Sequence, residues 1–326
     1  METRTIERLG RDVSVVGLGT WQLGADWGSV DPDEARQVLE TAYEHGVTFY
    51  DTADVYGDGR SEQLVGEFRA RHPDDVIVAT KMGRRVAQEP ENYNRFNLEV
   101  WNRRSREYLD MEPLDLVQLH CPPDEVYEDS QVFAVLDDLV QHGRIRAYGV
   151  SVETCAQALR AIERPNVATV QIILNCFRLK PLEEVLPRAK QAGVGIIARV
   201  PLASGLLSGR YDENTRFAPD DHRSYNRHGE AFDVGETFSG VPYDVGLNAV
   251  KALREVAGED RPLAEFALRW VIDQPGVSTV IPGARNPEQA TKNAAAADSP
   301  PLTATQLDGV REVYDRHIRE HVHDRW

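Results

Sequence analysis

The sequence predicts an α/β fold closed as a (β/α)8 TIM barrel, and three observations lead to it. Apolar, β-branched runs alternate with segments of helical periodicity from residue 16 to residue 296. Such alternation builds a parallel sheet faced with helices. The rival, a doubly wound open sheet with a dinucleotide crevice, announces itself with GxGxxG after its first strand. Gly17-Leu-Gly-Thr-Trp-Gln-Leu-Gly24 has a different spacing. Finally, the longest polar connections, 84–97 and 203–242, each follow a strand candidate. In a barrel both emerge on the C-terminal face, where sites are built, which makes them candidate lids or substrate loops.

The chain opens with a hairpin pattern from Thr5 to Val16 around Leu9-Gly-Arg-Asp12. Strand candidates follow at 16–20, 47–50, 76–80, 115–119, 145–150, 168–172, 194–198 and 277–281. Between them, apolar residues recur at i, i+3 and i+4 over 33–45, 61–71, 98–109, 131–142, 154–162, 183–192 and 287–296, the period of an amphipathic helix. Asp31-Pro-Asp-Glu34 reads as a capped helix start with Pro32 in the first turn. Further helices at about 243–257, 262–273 and 303–320 are expected outside the barrel. No repeat beyond the β/α unit and no low-complexity tract interrupts residues 1–326, which read as one domain.

Composition narrows the function classes. A chain of 326 residues, 41% hydrophobic, can bury a large core. No apolar stretch approaches the ~18 residues of a membrane span, and Met1-Glu-Thr-Arg-Thr-Ile6 lacks the apolar core of a signal peptide. Cys121, Cys155 and Cys176 are odd in number and far apart, as expected of reduced thiols in a cytoplasm. The net charge of −16 argues against nucleic acid and anionic membrane as partners, since both would be repelled. Lysine occurs only at 81, 180, 190, 251 and 292, so arginine supplies the other 32 of the 37 basic side chains. Abundant carboxylates with scarce lysine suit a protein that stays soluble in high salt, and a GC-rich genome alone would also favour arginine.

Four polar residues fall where apolar strands end: Asp51 and Tyr56 after 47–50, Lys81 after 76–80, and His120 after 115–119. Together they can make an acid for a carbonyl. A tyrosine with its ordinary pKa near ~10 is too weak an acid alone. A neighbouring ammonium stabilises its phenolate, and a carboxylate holds the ammonium in place. Singly, each has an ordinary explanation: a turn cap, a half-buried aromatic, a surface lysine, a satisfied core histidine. Jointly, all four share one barrel face, and a lysine ending an apolar strand needs a charge partner, for which Asp51 is the nearest candidate. Two other patterns carry less. His317-x3-His321-x-His323 has helical spacing but no cysteine or carboxylate shell, so no metal is expected. Cys121 beside His120 is discounted as a nucleophile because neighbouring strand residues point to opposite faces.

The motifs Gly19-Thr-Trp21, Asp51-Thr-Ala-Asp-Val-Tyr-Gly57, Thr80-Lys-Met-Gly83, Asp115-Leu-Val-Gln-Leu-His120, Gly149-Val-Ser151, Pro201-Leu-Ala-Ser-Gly-Leu-Leu-Ser-Gly209 and Ile281-Pro-Gly-Ala-Arg285 resemble those of the aldo-keto reductases, in order and at family spacing, to about residue 296. The resemblance implies an oxidoreductase that transfers hydride from NADPH, with NADH possible, to a small aldehyde, ketone or sugar. Tyr56 would be the general acid, Lys81 held by Asp51 would depress its pKa, and His120 would orient the carbonyl. For the cofactor, the resemblance implies Ser151 and Gln171 on the carboxamide. Ser204-Gly205-Leu206 and Gly209-Arg210 would wrap the pyrophosphate, and Arg285, Gln289 and Asn293 would grip the adenosine end. Thr20, Trp21, Asp51, Arg199, Pro201, Leu202 and Gly283 complete the expected cofactor contacts. The substrate pocket would be lined by Trp21, Trp27, Tyr56, Arg84 and His120, with Tyr225 and Phe232 from the 203–242 loop. Arg84 or Arg85 could meet a substrate anion or simply face solvent.

Three positions depart from the family pattern. Val152 stands where many relatives place a carboxamide-binding asparagine, so that contact is missing or moved to Asn175. Arg199 stands where an aromatic often stacks, and its charge would disfavour the oxidised, cationic nicotinamide. Gly283-Ala284 replaces Lys-Ser, which leaves Arg285 as the main 2′-phosphate group. Two alternatives stay open: oxidation of a sugar or polyol with NAD(P)+, and a cofactor-binding barrel that serves as a regulatory subunit. Oligomeric state and substrate identity are not legible.

Overall fold

The computed structural model describes residues 1–24 and 31–326. A two-stranded hairpin, β1 (Thr3–Ile6) and β2 (Arg11–Ser14), precedes eight parallel strands: β3 (Leu18–Gly19), β4 (Phe49–Asp51), β5 (Ile77–Met82), β6 (Leu114–His120), β7 (Ile145–Ser151), β8 (Val167–Ile173), β9 (Gly195–Arg199) and β10 (Val277–Val280). Each pairs with the next in sequence. Bridges from Val16 to Val280 and from Gly19 to Gly283 join the two ends of the sheet, so the barrel closes as expected. Every residue of β5, β6 and β8 is buried, which is why these strands read as near-continuous apolar runs.

The helices between strands are α1 (Pro32–Glu44), α2 (Arg60–Arg69), α3 (Arg95–Leu109), α4 (Ser130–Gln141), α5 (Cys155–Ile162) and α6 (Val185–Ala192). After β9 come the single turn α7 (His222–Tyr225), then α8 (Tyr243–Ala257) and α9 (Leu263–Ile272). Beyond β10 lie α10 (Pro287–Ala295), α11 (Ala304–Val313) and α12 (Arg319–Val322). The Asp31 carboxylate caps α1, accepting from the Asp33 N–H at 2.7 Å, and Ala35, Val38, Leu39 and Ala42 form its buried stripe. Helix α3 begins three residues before its expected start because the Asn94 side chain caps it through the Asn97 N–H at 3.1 Å. The helix expected over 303–320 is interrupted by a π turn at Tyr314–Ile318, which buries both terminal residues of that turn. The 203–242 connection carries short turns at Ala203–Ser208, Val234–Glu236 and Phe238–Gly240 besides α7, and lines the cavity with Tyr225, Phe232 and Glu236.

The core has two layers. One lies between barrel and helices and includes Val38, Leu64, Phe68, Leu136 and Trp270. The other fills the barrel floor with Phe49, Ile77, Leu116, Ala147, Ile197 and Ile281, and the hairpin plugs it from below with Ile6 and Val13. Because strand side chains alternate, the inward residues above Phe49, above Ile77 and Ala79, and above Leu116 are Asp51, Lys81 and Gln118. The apolar floor therefore supports a polar storey that faces the C-terminal rim. Ile6→Ala should cost about 2–5 kcal/mol of stability through the cavity it leaves. Urea unfolding checks this, and an unchanged midpoint would mean that the hairpin only rests on the floor.

Candidate active site

Asp51 ends β4, Tyr56 begins the turn Tyr56–Gly59 that follows, Lys81 is the penultimate residue of β5, and His120 ends β6. The barrel brings all four together. The Lys81 ammonium, 1% exposed, donates to Asp51 Oδ1, to the Thr52 carbonyl at 2.9 Å and to the Tyr56 hydroxyl at 3.2 Å. Three acceptors satisfy its three protons. The second carboxylate oxygen of Asp51 accepts from Gln171 at 2.7 Å and Gln118 at 3.2 Å. Gln171, expected on the carboxamide of a cofactor, thus also braces the ion pair. The His120 ring meets the Tyr56 ring edge-on, with centroids 5.9 Å apart, and its Nδ1 has no hydrogen-bond partner among the described residues.

The backbone around Tyr56 is shaped for this placement. Gly57 adopts φ +58, and a Cβ there would lie 1.9 Å from the Gly24 carbonyl oxygen, so only glycine permits the close approach.

The electrostatics differ from expectation in one respect. Burial raises the Tyr56 pKa, Lys81 opposes the rise and Asp51 adds to it, and the net direction is upward rather than down. Desolvation outweighs the ammonium, so the phenol is held as a proton-bearing acid. Burial also works against the Lys81 ammonium, but Asp51 and Tyr56 reverse that and leave its pKa raised. His120 is pushed well below its ordinary value by burial and by the charges of Arg84, Lys81 and Arg199, so the ring is neutral.

A second charged group forms the neighbouring wall. Arg199 donates to Glu236, to Glu153 at 2.9 Å and to the Val152 carbonyl at 2.8 Å. Arg84 donates to the other Glu153 oxygen at 3.0 Å and to the His120 carbonyl at 3.2 Å. Arg199 is therefore not the bare cation expected from its position; two carboxylates balance it. Arg84 is a wall residue rather than a solvated loop arginine, whereas Arg85 pairs with Asp58 at 2.7 Å and Asp54 at 3.4 Å. Asn175 cannot replace the missing residue at 152. It is fully buried, and its amide donates to the Val200 carbonyl and Ser239 hydroxyl, both at 2.8 Å. Glu153 and Glu236 were not anticipated; only Glu153, beside Gly149-Val-Ser151, carried any sequence signal.

Cys121 lies just past the strand, with φ +51, so strand alternation is not what silences it. Burial raises its thiol to about 12. The three C-terminal histidines do not converge: His321 meets Glu320 at 3.3 Å, while His323 meets Tyr314 at 2.9 Å and Glu183 at 3.3 Å. Among the described residues no group of histidine, cysteine or carboxylate side chains is placed to hold a metal ion.

The site opens into a cavity of about 860 Å³. Tyr56, His120, Arg84, Ser151, Gln171 and Arg199 line it, as do Thr20, Trp21 and Asp51; Lys81 lies beneath its floor. The lining continues through Pro201, Leu202, Ser204, Gly205 and Arg210 to Gly283, Arg285, Gln289 and Asn293. Leu206 and Gly209 stand outside it, with Leu206 buried. Near α10, basic side chains gather: Arg285 approaches Asp221 at 4.0 Å, Asp221 pairs with Arg223 at 2.5 Å, and Lys292 pairs with Glu288 at 2.5 Å. Opposite the charged wall, Trp21 packs on His222 at 5.2 Å and Phe232 at 5.8 Å, and Tyr225 meets Phe232 at 6.3 Å. Trp27 lies outside the described residues.

The profile of the Aldo/keto reductase family matches residues 15–315. The chain belongs to the aldo/keto reductase family of oxidoreductases. It is 32% identical over 300 residues to aldo-keto reductase YhdN of Bacillus subtilis (strain 168), covering 89% of this chain and 86% of that one. Among solved structures it resembles the glycerol dehydrogenase AKR11B4 from Gluconobacter oxydans, with TM-score 0.80, 30% identity, and coverage of 97% and 96% of the two chains. The holo form of aldo-keto reductase AKR11C1 from Bacillus halodurans aligns with TM-score 0.77 and 28% identity, over 97% and 99% of the chains.

Lys81→Met should destabilise this family member by about 3–5 kcal/mol, because it leaves the Asp51 carboxylate buried without its cation. Since the Lys81 pKa is raised from 10.5, the pair's contribution is fully present below that value and is lost as pH climbs through the folded-state pKa. Denaturant unfolding at neutral pH reads the loss; a variant as stable as the parent would show that the pair is not required for folding.

Proposed function

We propose that this chain is an NADPH-dependent carbonyl reductase in which Tyr56 is the proton donor. The observation that carries the reading is the Tyr56 hydroxyl, 3.2 Å from the Lys81 ammonium, at the floor of a cavity that extends to basic side chains along α10. The residues fit the cofactor. Ser204 and Gly205 turn the backbone tightly, with φ 53 and 93, beside the middle of the cavity. Arg210, Arg223, Arg285 and Lys292 concentrate positive charge at one end in a chain whose net charge is −16. That clustering suits a 2′-phosphate, for which an arginine fork is well matched. Asp221 beside Arg285, and glycine and alanine at 283 and 284, keep NADH as the second cofactor to compare.

The cofactor supplies hydride. Neutral His120 offers a hydrogen bond to the carbonyl oxygen and, having no charge, does not compete as an acid. Tyr56 gives its proton to that oxygen as negative charge develops there. Lys81 then stands beside the phenolate left behind, and Asp51 with Gln118 and Gln171 keeps Lys81 from moving. The aromatic wall of Trp21, Phe232 and Tyr225 suits a small organic carbonyl compound.

Oxidation of a polyol is the second reading, favoured by likeness to a protein described as a glycerol dehydrogenase. The two directions share these residues and differ in the protonation of Tyr56. Carbonyl reduction needs the phenol, so its rate should be level through neutral pH and fall as pH rises through a Tyr56 pKa above 10. Alcohol oxidation needs the phenolate and should rise with pH. A regulatory barrel would need none of this chemistry.

Following NADPH absorbance over a panel of aldehydes and ketones tests the proposal. Tyr56→Phe should lose about 10²–10⁴-fold in kcat while its NADPH affinity stays within about two-fold. Wild-type turnover in Tyr56→Phe would overturn the assignment, and absence of turnover in the parent would favour the regulatory reading.

A further inference from the structure

Residues 233–240, the last part of the connection after β9, are tied from two sides. On the outer side the Trp326 indole N–H donates to Asp233 Oδ1 at 3.0 Å, and the same oxygen accepts from the Gly235 N–H at 2.7 Å. The indole lies so close that a Cβ at Gly240 would come within 2.3 Å of it. Its other face is stacked by Arg178, whose guanidinium is 3.9 Å from the ring centroid and also donates to the Ser239 carbonyl at 3.3 Å. On the cavity side the Ser204 hydroxyl donates to the Glu236 carbonyl at 2.9 Å and accepts from the Phe238 N–H at 3.0 Å. Between these anchors the Glu236 side chain turns into the cavity wall and grips Arg199.

We infer that Glu236 is a positioning residue that sets the charge of the wall facing the cofactor's nicotinamide end, and that Trp326 holds it there from the opposite side. The inference rests on the NADP(H) reading. A ring that delivers hydride to a carbonyl held by Tyr56 and His120 must sit beside them, and Arg199 lines the same part of the cavity. Glu236 lines the same cavity as Tyr56 and His120, within reach of the reacting groups. Arg199 alone would set a full positive charge beside a ring that becomes cationic on losing hydride. Glu153 cannot cancel it alone, because Arg84 shares that carboxylate. Glu236 is the carboxylate left to balance Arg199. It also ties the nicotinamide wall to Ser204 on the turn proposed for the pyrophosphate.

The test is the affinity of both redox forms, read by tryptophan fluorescence quenching without turnover, in the parent chain, Glu236→Gln and Trp326→Phe. Glu236→Gln keeps the shape and removes the charge. It should weaken NADP+ relative to NADPH on the order of ten-fold, as expected for one charge lost a few ångströms from a cation in a partly dry site. Trp326→Phe keeps the ring on Arg178 but loses the N–H to Asp233, and should move the same ratio in the same direction by roughly two- to three-fold. A purely structural role would weaken both redox forms equally, and that result, or an unchanged ratio in both variants, overturns the inference. If Glu236→Gln does not fold, the ratio in Trp326→Phe decides. A parent protein that binds neither form overturns the cofactor reading instead.

Discussion

The buried ion pair of Lys81 and Asp51 is the interaction on which the rest of the site depends. An ammonium and a carboxylate taken out of water are costly unless every proton and lone pair finds a partner. Here Lys81 is met by Asp51, the Thr52 carbonyl and Tyr56, and the remaining Asp51 oxygen by Gln118 and Gln171. Four strands, β4, β5, β6 and β8, contribute to that one knot. Closure of the barrel is what brings them to it. The apolar floor below, plugged by the hairpin, offers the charged pair no polar partners in place of those it has.

The consequences run outward from the knot. Tyr56 is positioned by Lys81 from one side and by the tight approach of Gly57 to Gly24 from the other. His120, on the strand next to Lys81, is kept neutral by burial and by three nearby cations, which suits the orienting role proposed for it. The neighbouring wall repeats the same logic with arginine: Arg199 is buried only because Glu153 and Glu236 meet it. The site is thus two buried charge networks, one under the Tyr56 hydroxyl and one beside it.

Much of this was legible in the sequence, and the reasons are physical. Strands buried on both faces announce themselves as unbroken β-branched runs, and residues at their ends are confined to one rim, so Asp51, Lys81 and His120 could be grouped before any contact was known. The capping of α1 was equally local. What escaped depends on contacts between segments far apart in the chain. Glu236 meets Arg199 across 37 residues and belongs to a loop without periodicity, so Arg199 read as a bare cation. Asn175 read as a spare amide because its partners, Val200 and Ser239, lie on other segments. The Tyr56 pKa moves up and not down for a related reason: the ammonium is visible in sequence, but desolvation is a property of packing. The π turn at Tyr314–Ile318 has no sequence signal that we can identify.

The central claim is that Tyr56, supported by the Lys81–Asp51 pair, hands a proton to the carbonyl oxygen. The most direct measurement is the solvent deuterium isotope effect on a single turnover of aldehyde reduction with NADPH bound, compared between the parent and Tyr56→Phe. The parent should turn over more slowly in heavy water, and the residual reaction of Tyr56→Phe should have lost that sensitivity or changed its size. A parent rate indifferent to heavy water, or an unaltered effect in Tyr56→Phe, would contradict the account.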